Sequence, residues 1–280
     1  MKNLANRIGA ILMACGVALL LGVPAHAADA SPWVEDNYSG IRLIAGASKS
    51  GAESLHAGIE IKMQPGWHTY WRYPGDSGVP PRFSFAGSDN VATVKVLFPA
   101  PHAFTDEAGT TIGYKGNVIL PLRVVPRQKD KPVTLRAKVD YAVCEKLCVP
   151  VEAKIELTIP PTGGADNAGL DVAESRVPKP VTAAAAGLTA KRASDDKVKP
   201  LVFVDLAAPT GQPVELFVEG PTAEWALPIP KPAQGAPPGR AHFGFELDGL
   251  PPGVDPKAPF ELTFTIVEGD RATEVKTHLD

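Results

Sequence analysis

The sequence lacks the short motifs that mark several large enzyme classes. It contains no Gly-x-Ser-x-Gly elbow, no phosphate-cradling glycine loop and no His-Glu-x-x-His zinc signature, so hydrolase chemistry has no visible support. It also lacks an excess of positive charge. The formal net charge is −3, which gives no indication of nucleic-acid binding.

Long apolar runs are absent except at the N-terminus. There, Lys2 and Arg7 precede an apolar run over residues 8–23, and Ala25-His26-Ala27 supplies the small residues of a cleavage site. We therefore expect residues 1–27 to be a secretory signal peptide rather than a membrane anchor. The mature chain is expected to be a soluble periplasmic protein without a transmembrane segment.

Long stretches with a 3.6-residue apolar period are also lacking, whereas proline (29 residues) and glycine (26 residues) are plentiful. They separate short runs rich in Val, Ile and Thr, in which apolar and polar residues alternate. The runs at 55–63, 135–143 and 151–159 show this period of two most clearly. This pattern predicts an all-β protein built as an antiparallel sandwich.

The chain divides by composition into segments. Residues 28–160 hold the first set of alternating runs and predict one β-sandwich. Residues 161–200 are rich in proline and alanine, with a short helical stretch near 168–176, and are interpreted as a linker. Residues 201–280 return to alternation and predict a second, smaller β domain without cysteine.

Cysteine is scarce, with three residues in the chain. Cys15 follows a loose lipobox but lies inside the apolar run, so it is expected to be lost with the signal peptide. Cys144 and Cys148 lie between two predicted strands, which places both sulfurs at the connection of a hairpin. Strand parity puts Cys144 on the outward face, and we expect both thiols to be accessible.

Three interpretations of this pair remain open from the residues alone. A structural disulfide is common in exported proteins, but closing a five-residue ring contributes only about 2 kcal/mol. A redox-active pair fits a small, exposed ring. Copper binding is the third, with His68 or His102 as a further ligand to two soft sulfurs.

Three blocks of sequence carry a family resemblance. They are residues 66–81 (GWHTYWRYPGDSGVPP), 113–116 (GYKG) and 141–150 (YAVCEKLCVP). In order and spacing they resemble the N-terminal periplasmic domain of the DsbD and ScsB disulfide reductases, over about residues 35–160. The resemblance implies an immunoglobulin-like sandwich that transfers electrons by thiol-disulfide exchange, as a thiol:disulfide oxidoreductase without a cofactor.

The resemblance also implies roles for individual residues. By position, Cys148 would attack or receive the partner sulfur and Cys144 would resolve the mixed disulfide. A cap loop would correspond to residues 102–109, which keep the family's acidic pair but not the aromatic pair after it. The residues expected to shield or modulate the cysteines are Phe104, Asp106, Glu107, Tyr141 and Glu145.

Carboxylates near a thiol disfavour the thiolate, so Asp106, Glu107 or Glu145 would raise the pKa of a neighbouring cysteine, while Lys146 would lower it. The aromatic cluster of residues 67–73 is interpreted as packing rather than as a binding surface.

The resemblance implies partners as well. DsbD-type reductases continue into a membrane domain that this sequence does not show. We therefore expect a separate membrane thiol transporter as electron source and periplasmic thioredoxin-like proteins as acceptors. The remaining alternatives are a copper-tolerance protein and an interaction module with a structural disulfide.

Overall fold

The computed structural model describes residues 29–48, 52–75, 78–106, 109–165, 167–193, 199–208 and 211–280. The predicted signal peptide, with Cys15, lies outside the described residues. Among the described residues, no helix is both long and apolar enough to cross a membrane.

Two antiparallel sheets form the N-terminal unit. The first has the order β1-β2-β3-β9-β6, and the second has the order β11-β10-β4-β8-β7 with β5 also beside β10. The strands of the first sheet are β1 (Val34–Glu35), β2 (Ser39–Ala45), β3 (Leu55–Met63), β9 (Val118–Pro126) and β6 (Val91–Val96). Those of the second are β11 (Cys148–Ile159), β10 (Val133–Cys144), β4 (His68–Gly75), β8 (Gly109–Lys115), β7 (His102–Asp106) and β5 (Arg82–Ser84).

The alternation seen in the sequence explains how these sheets pack. In β10, every second residue from Val133 to Tyr141 is buried, and the residues between are partly exposed. The buried set joins the inward residues of β2, β3 and β9 in one core, where Trp71 is the largest fully buried side chain. The predicted all-β, antiparallel architecture is therefore confirmed.

The C-terminal unit contains two further four-stranded sheets with their own core. One sheet has the order β12-β19-β18-β15, made of β12 (Lys179–Val181), β19 (Arg271–Leu279), β18 (Phe260–Glu268) and β15 (Val214–Glu219). The other has the order β13-β14-β17-β16, made of β13 (Thr189–Arg192), β14 (Leu201–Ala207), β17 (Arg240–Glu246) and β16 (Lys231–Ala233).

The segment 161–200, expected to link the two units, carries regular structure. Helix α1 (Ala168–Ser175) begins at Asn167, whose side chain accepts a hydrogen bond from the Leu170 amide. Leu170 is fully buried beside Gly46 and Gly58 of the N-terminal unit. The later strands β12 and β13 pair with β19 and β14, so this segment contributes to both units.

The two units share apolar packing. Phe217 of β15 and Val267 of β18 are buried in the core of the N-terminal unit, and the Phe217 ring lies 5.8 Å from that of Trp71. On β7, the Ala103 amide donates to Glu215 Oε1 at 2.8 Å, and His102 Nδ1 lies 2.7 Å from Glu215 Oε2. The units are therefore joined by both a core contact and polar contacts.

Replacing Phe217 with Ala should destabilise the N-terminal unit as well as its own sheet. Removal of a buried Phe typically costs about 3–5 kcal/mol. Urea denaturation, followed by intrinsic fluorescence, measures the loss. Phe203→Ala is the matched control, because Phe203 on β14 is 50% exposed. A loss in Phe217→Ala no larger than in Phe203→Ala would contradict the shared core.

Candidate redox site

A disulfide joins the two strands of the β10–β11 hairpin at its turn. Cys144 ends β10, Cys148 begins β11, and the two are paired in the strand register. Their sulfurs are bonded at 2.06 Å, and their Cα atoms lie 4.2 Å apart. The predicted hairpin is confirmed, with residues 145–147 as its turn.

The two cysteines differ sharply in exposure. Cys148 is exposed, whereas Cys144 is only 2% exposed. The expectation that both thiols are accessible is therefore wrong for Cys144. Parity does place Cys144 on the same face as Ala142, away from the main core, but Tyr70 of β4 covers that face and forms a small buried cluster with both.

The Tyr70 hydroxyl contacts both sulfurs. It lies 2.7 Å from Cys144 Sγ and 3.1 Å from Cys148 Sγ. The Tyr70 side chain is itself buried, and the backbone at Gly78 passes close to its ring. A Cβ added at Gly78 would lie 2.7 Å from Tyr70 Cδ1, so the close approach requires glycine. A phenol in this position can donate a hydrogen bond to a sulfur that becomes negatively charged.

The pairing of β4 with both neighbours fixes Tyr70 over the disulfide. On one side, Thr69 pairs with Val143, and its hydroxyl donates to the Ala142 carbonyl oxygen at 2.8 Å. On the other side, Tyr70 pairs with Gly113 of β8. A Cβ at Gly113 would lie 2.0 Å from the Thr69 carbonyl oxygen, so this strand contact also depends on glycine.

Phe104 of the predicted cap loop reaches the site through His68. The buried His68 pairs with Cys144 in the strand register, and its ring centroid lies 5.7 Å from that of Tyr70 and 6.0 Å from that of Phe104. Lys115 Nζ lies 4.4 Å from the Phe104 ring centroid. The aromatic rings therefore extend from the disulfide toward β7.

Strand β7, at the start of the stretch predicted to be the cap loop (residues 102–109), forms a β-hairpin with β8. Asp106 pairs with Gly109 at its end. Glu107 lies outside the described residues. The hairpin is attached to the C-terminal unit through Glu215, and the hydrogen bond with this carboxylate raises the pKa of His102.

The other predicted modulating residues lie on either side of the disulfide. Tyr141 points into the core, on the face of β10 opposite Cys144, and its hydroxyl lies 2.9 Å from Ser39 Oγ. Burial raises the pKa of Tyr141 to about 12. Glu145 is exposed in the turn, and a Cβ added at Gly66 would lie 3.1 Å from its Oε1.

The described residues contain no group of three or more His, Cys, Asp or Glu side chains arranged to hold a metal ion. The two histidines considered as copper ligands have other neighbours. His102 contacts Glu215, and His68 packs between two aromatic rings.

Comparison with known proteins connects this geometry to a family. Residues 45–160 match the family described as thiol:disulfide interchange protein DsbD, N-terminal. This segment of the chain is therefore similar to the DsbD N-terminal domain. The structure is also similar to the crystal structure of the N-terminal periplasmic domain of ScsB from Proteus mirabilis, with a TM-score of 0.66 and 18% sequence identity. No curated protein matches the chain.

The ScsB likeness concerns the fold, and it extends beyond the DsbD N-terminal domain. It covers 90% of this chain and 98% of the ScsB chain, which is far more than residues 45–160. The C-terminal unit is therefore part of the shared architecture. The resemblance inferred from the three sequence blocks is confirmed, as is the immunoglobulin-like sandwich expected from it.

Sequence reasoning did not identify Tyr70 as a residue of this candidate redox site. It was assigned to packing with the other aromatic residues, which holds for the buried Trp71 and for Trp67, stacked on Tyr38 at 4.3 Å. Alternation along β4 offered one signal, because it places His68 and Tyr70 on the face opposite Trp71.

Replacing Tyr70 with Phe should slow reduction of the disulfide by dithiothreitol. When dithiothreitol attacks the exposed Cys148, Cys144 leaves as a thiolate, and the Tyr70 hydroxyl is placed to donate to it. A hydrogen bond to a charged group contributes about 1.5–3 kcal/mol, so the rate should fall about tenfold or more. Stopped-flow measurement of the second-order rate checks this.

Tyr114→Phe is the matched control for this measurement. Tyr114 is buried in the same sheet, and its hydroxyl donates to the Pro99 carbonyl oxygen at 2.8 Å. Its loss should leave the reduction rate close to that of the wild type. Equal rates in Tyr70→Phe and Tyr114→Phe would show that the Tyr70 contact does not assist the exchange.

Proposed function

We propose that this protein is a periplasmic thiol-disulfide exchange protein that relays electrons from a separate membrane thiol transporter to thioredoxin-like partners. The observation that carries the proposal is the Cys144–Cys148 disulfide, with one sulfur exposed and the other buried against the Tyr70 hydroxyl. The signal peptide predicted at residues 1–27 and the likeness to a periplasmic domain support export.

Reduction of the pair would follow two exchange steps. A thiolate of the transporter attacks Cys148 Sγ, the disulfide breaks, and Cys144 leaves as a thiolate that Tyr70 stabilises. The second transporter thiolate then attacks the transporter sulfur of the mixed disulfide and releases Cys148. The transporter dithiol is oxidised to a disulfide, and the cysteine pair is reduced by two electrons.

Electron transfer onward reverses these roles. The Cys148 thiolate attacks the disulfide of a thioredoxin-like partner, and one partner sulfur leaves as a thiolate. Cys144 then attacks Cys148 Sγ, releases the second partner sulfur and restores the disulfide. The difference in exposure supports this division of roles, because a partner can reach Cys148 but not the 2% exposed Cys144.

The surface around Cys148 supports transient docking of a protein partner. Leu147 is 71% exposed in the turn, and Val79, next to the Gly78 that contacts Tyr70, is 53% exposed. Exposed apolar side chains beside a reactive group are typical of interaction sites. Glu145 and Lys146 add one charge of each sign to the same turn.

A purely structural role for the disulfide has weaker support. Closing a five-residue ring stabilises the fold by about 2 kcal/mol. The strands that it joins are already paired over twelve positions and pack on an extensive core. Removal of the bridge should therefore leave the sandwich intact.

Trapping of mixed disulfides tests the proposal in the periplasm. Cys144→Ser should accumulate adducts between Cys148 and partner proteins, because the resolving thiol is missing. Non-reducing electrophoresis and mass spectrometry identify the adducts. Cys148→Ser is the control and should form far fewer, since Cys144 is buried. The absence of adducts with Cys144→Ser, or equal adducts from both variants, would refute the proposed exchange.

A further inference from the structure

The register of strand β4 with β8 becomes irregular directly after Tyr70. Its register with β10 covers only His68 and Thr69. Its register with β8 runs from His68 to Tyr70 and then shifts, resuming at Gly75. The register with β8 therefore shifts across residues 71–74 of this strand. The residue that touches both sulfurs lies at the last position before the irregularity.

The C-terminal unit supplies contacts where the register of β4 shifts. Arg72 donates from Nε to Glu219 Oε1 at 2.9 Å, and from Nη2 to Glu219 Oε2 at 2.7 Å and to Glu274 Oε2 at 2.6 Å. Its guanidinium also lies 4.6 Å from the Trp71 ring centroid. One residue further, the Tyr73 hydroxyl donates to the Leu227 carbonyl oxygen at 2.6 Å.

The Arg72 contact is a specific anchor rather than a loose surface pair. Burial alone would lower the pKa of Arg72, but the hydrogen bonds and charges of Glu219 and Glu274 raise it above its ordinary value. The two carboxylates come from β15 and β19, which flank β18 on either side. A planar guanidinium can engage both at once, whereas an ammonium group lacks this fork geometry.

We infer that Arg72 is a positioning residue for the redox site, through which the C-terminal unit holds β4 so that the Tyr70 hydroxyl meets both sulfurs. Arg72 and Tyr70 are two residues apart on β4. A displacement of the backbone at Arg72 therefore also displaces Tyr70. Hydrogen bonds weaken steeply with distance and misalignment, so a small shift is sufficient to lose the contact. This inference assigns the C-terminal unit a role in the reaction, and it rests on the proposed function.

A double-mutant cycle on the full chain tests this role. The measured quantity is the second-order rate of disulfide reduction by dithiothreitol, over a range of pH. Arg72→Met should slow reduction about three- to tenfold, as part of the Tyr70 hydrogen bond is lost. Combined with Tyr70→Phe, it should produce no further slowing, because both changes act on one contact. Arg72→Lys should recover part of the rate.

Arg42→Met is the matched control. Arg42 also pairs with a carboxylate, Glu60, at 2.7 Å, and it also lies over an aromatic ring, that of Trp33, at 4.4 Å. It belongs to the other sheet of the N-terminal unit, so its loss should leave the reduction rate unchanged. Glu274→Gln provides a milder change at the anchor, retains the Glu219 contact, and should slow reduction by a smaller factor.

The outcomes separate the inference from the proposed function. An Arg72→Met rate equal to that of Arg42→Met would overturn the positioning role. Faster reduction would also overturn it, because it would mean that Arg72 only keeps the site closed. Additive slowing in the double variant would overturn it as well, because Arg72 would then act independently of Tyr70. Failure of the proposed function would be seen in the trapping experiment instead. Cys144→Ser would then form no adducts with partner proteins, although Tyr70→Phe and Arg72→Met still slowed reduction by dithiothreitol.

Discussion

The Tyr70 hydroxyl lies within hydrogen-bonding distance of both cysteine sulfurs, and the rest of this site depends on this contact. It requires that β4 lie between β10 and β8, so that Thr69 and Tyr70 are held on both sides. It also requires two close backbone approaches that only glycine permits, at Gly78 and Gly113. Beyond Tyr70, the C-terminal unit continues the support of the strand through Arg72. The disulfide is thus placed by one sheet of the N-terminal unit together with the C-terminal unit.

Unequal burial of the two sulfurs gives the pair a direction of reaction. An incoming thiolate can reach only Cys148, so Cys144 becomes the leaving group, beside a phenol that can stabilise the charge. In the proposed function, selectivity for docking partners then depends on the exposed surface around Leu147. A disulfide that only stabilised the hairpin would not require one exposed and one buried sulfur.

Local features of this site could be predicted from the sequence, and long-range ones could not. Alternation along residues 135–143 and 151–159 was sufficient to predict the hairpin and to place Cys144 on the outward face. The burial of Cys144 was missed because its cover, Tyr70, lies 74 residues earlier in the chain. The contact between His102 and Glu215 joins residues 113 apart, and no local pattern signals it. The strands within the segment predicted to be a linker could not be foreseen for the same reason, since they pair with distant partners.

The reduction potential of the Cys144–Cys148 couple tests the central claim most directly. It can be measured on the purified mature protein by equilibration with glutathione buffers, with the thiols quantified after acid quenching. The account predicts a value between about −120 and −270 mV, in the range of proteins that exchange disulfides. A value below about −300 mV, typical of structural bridges, would contradict it.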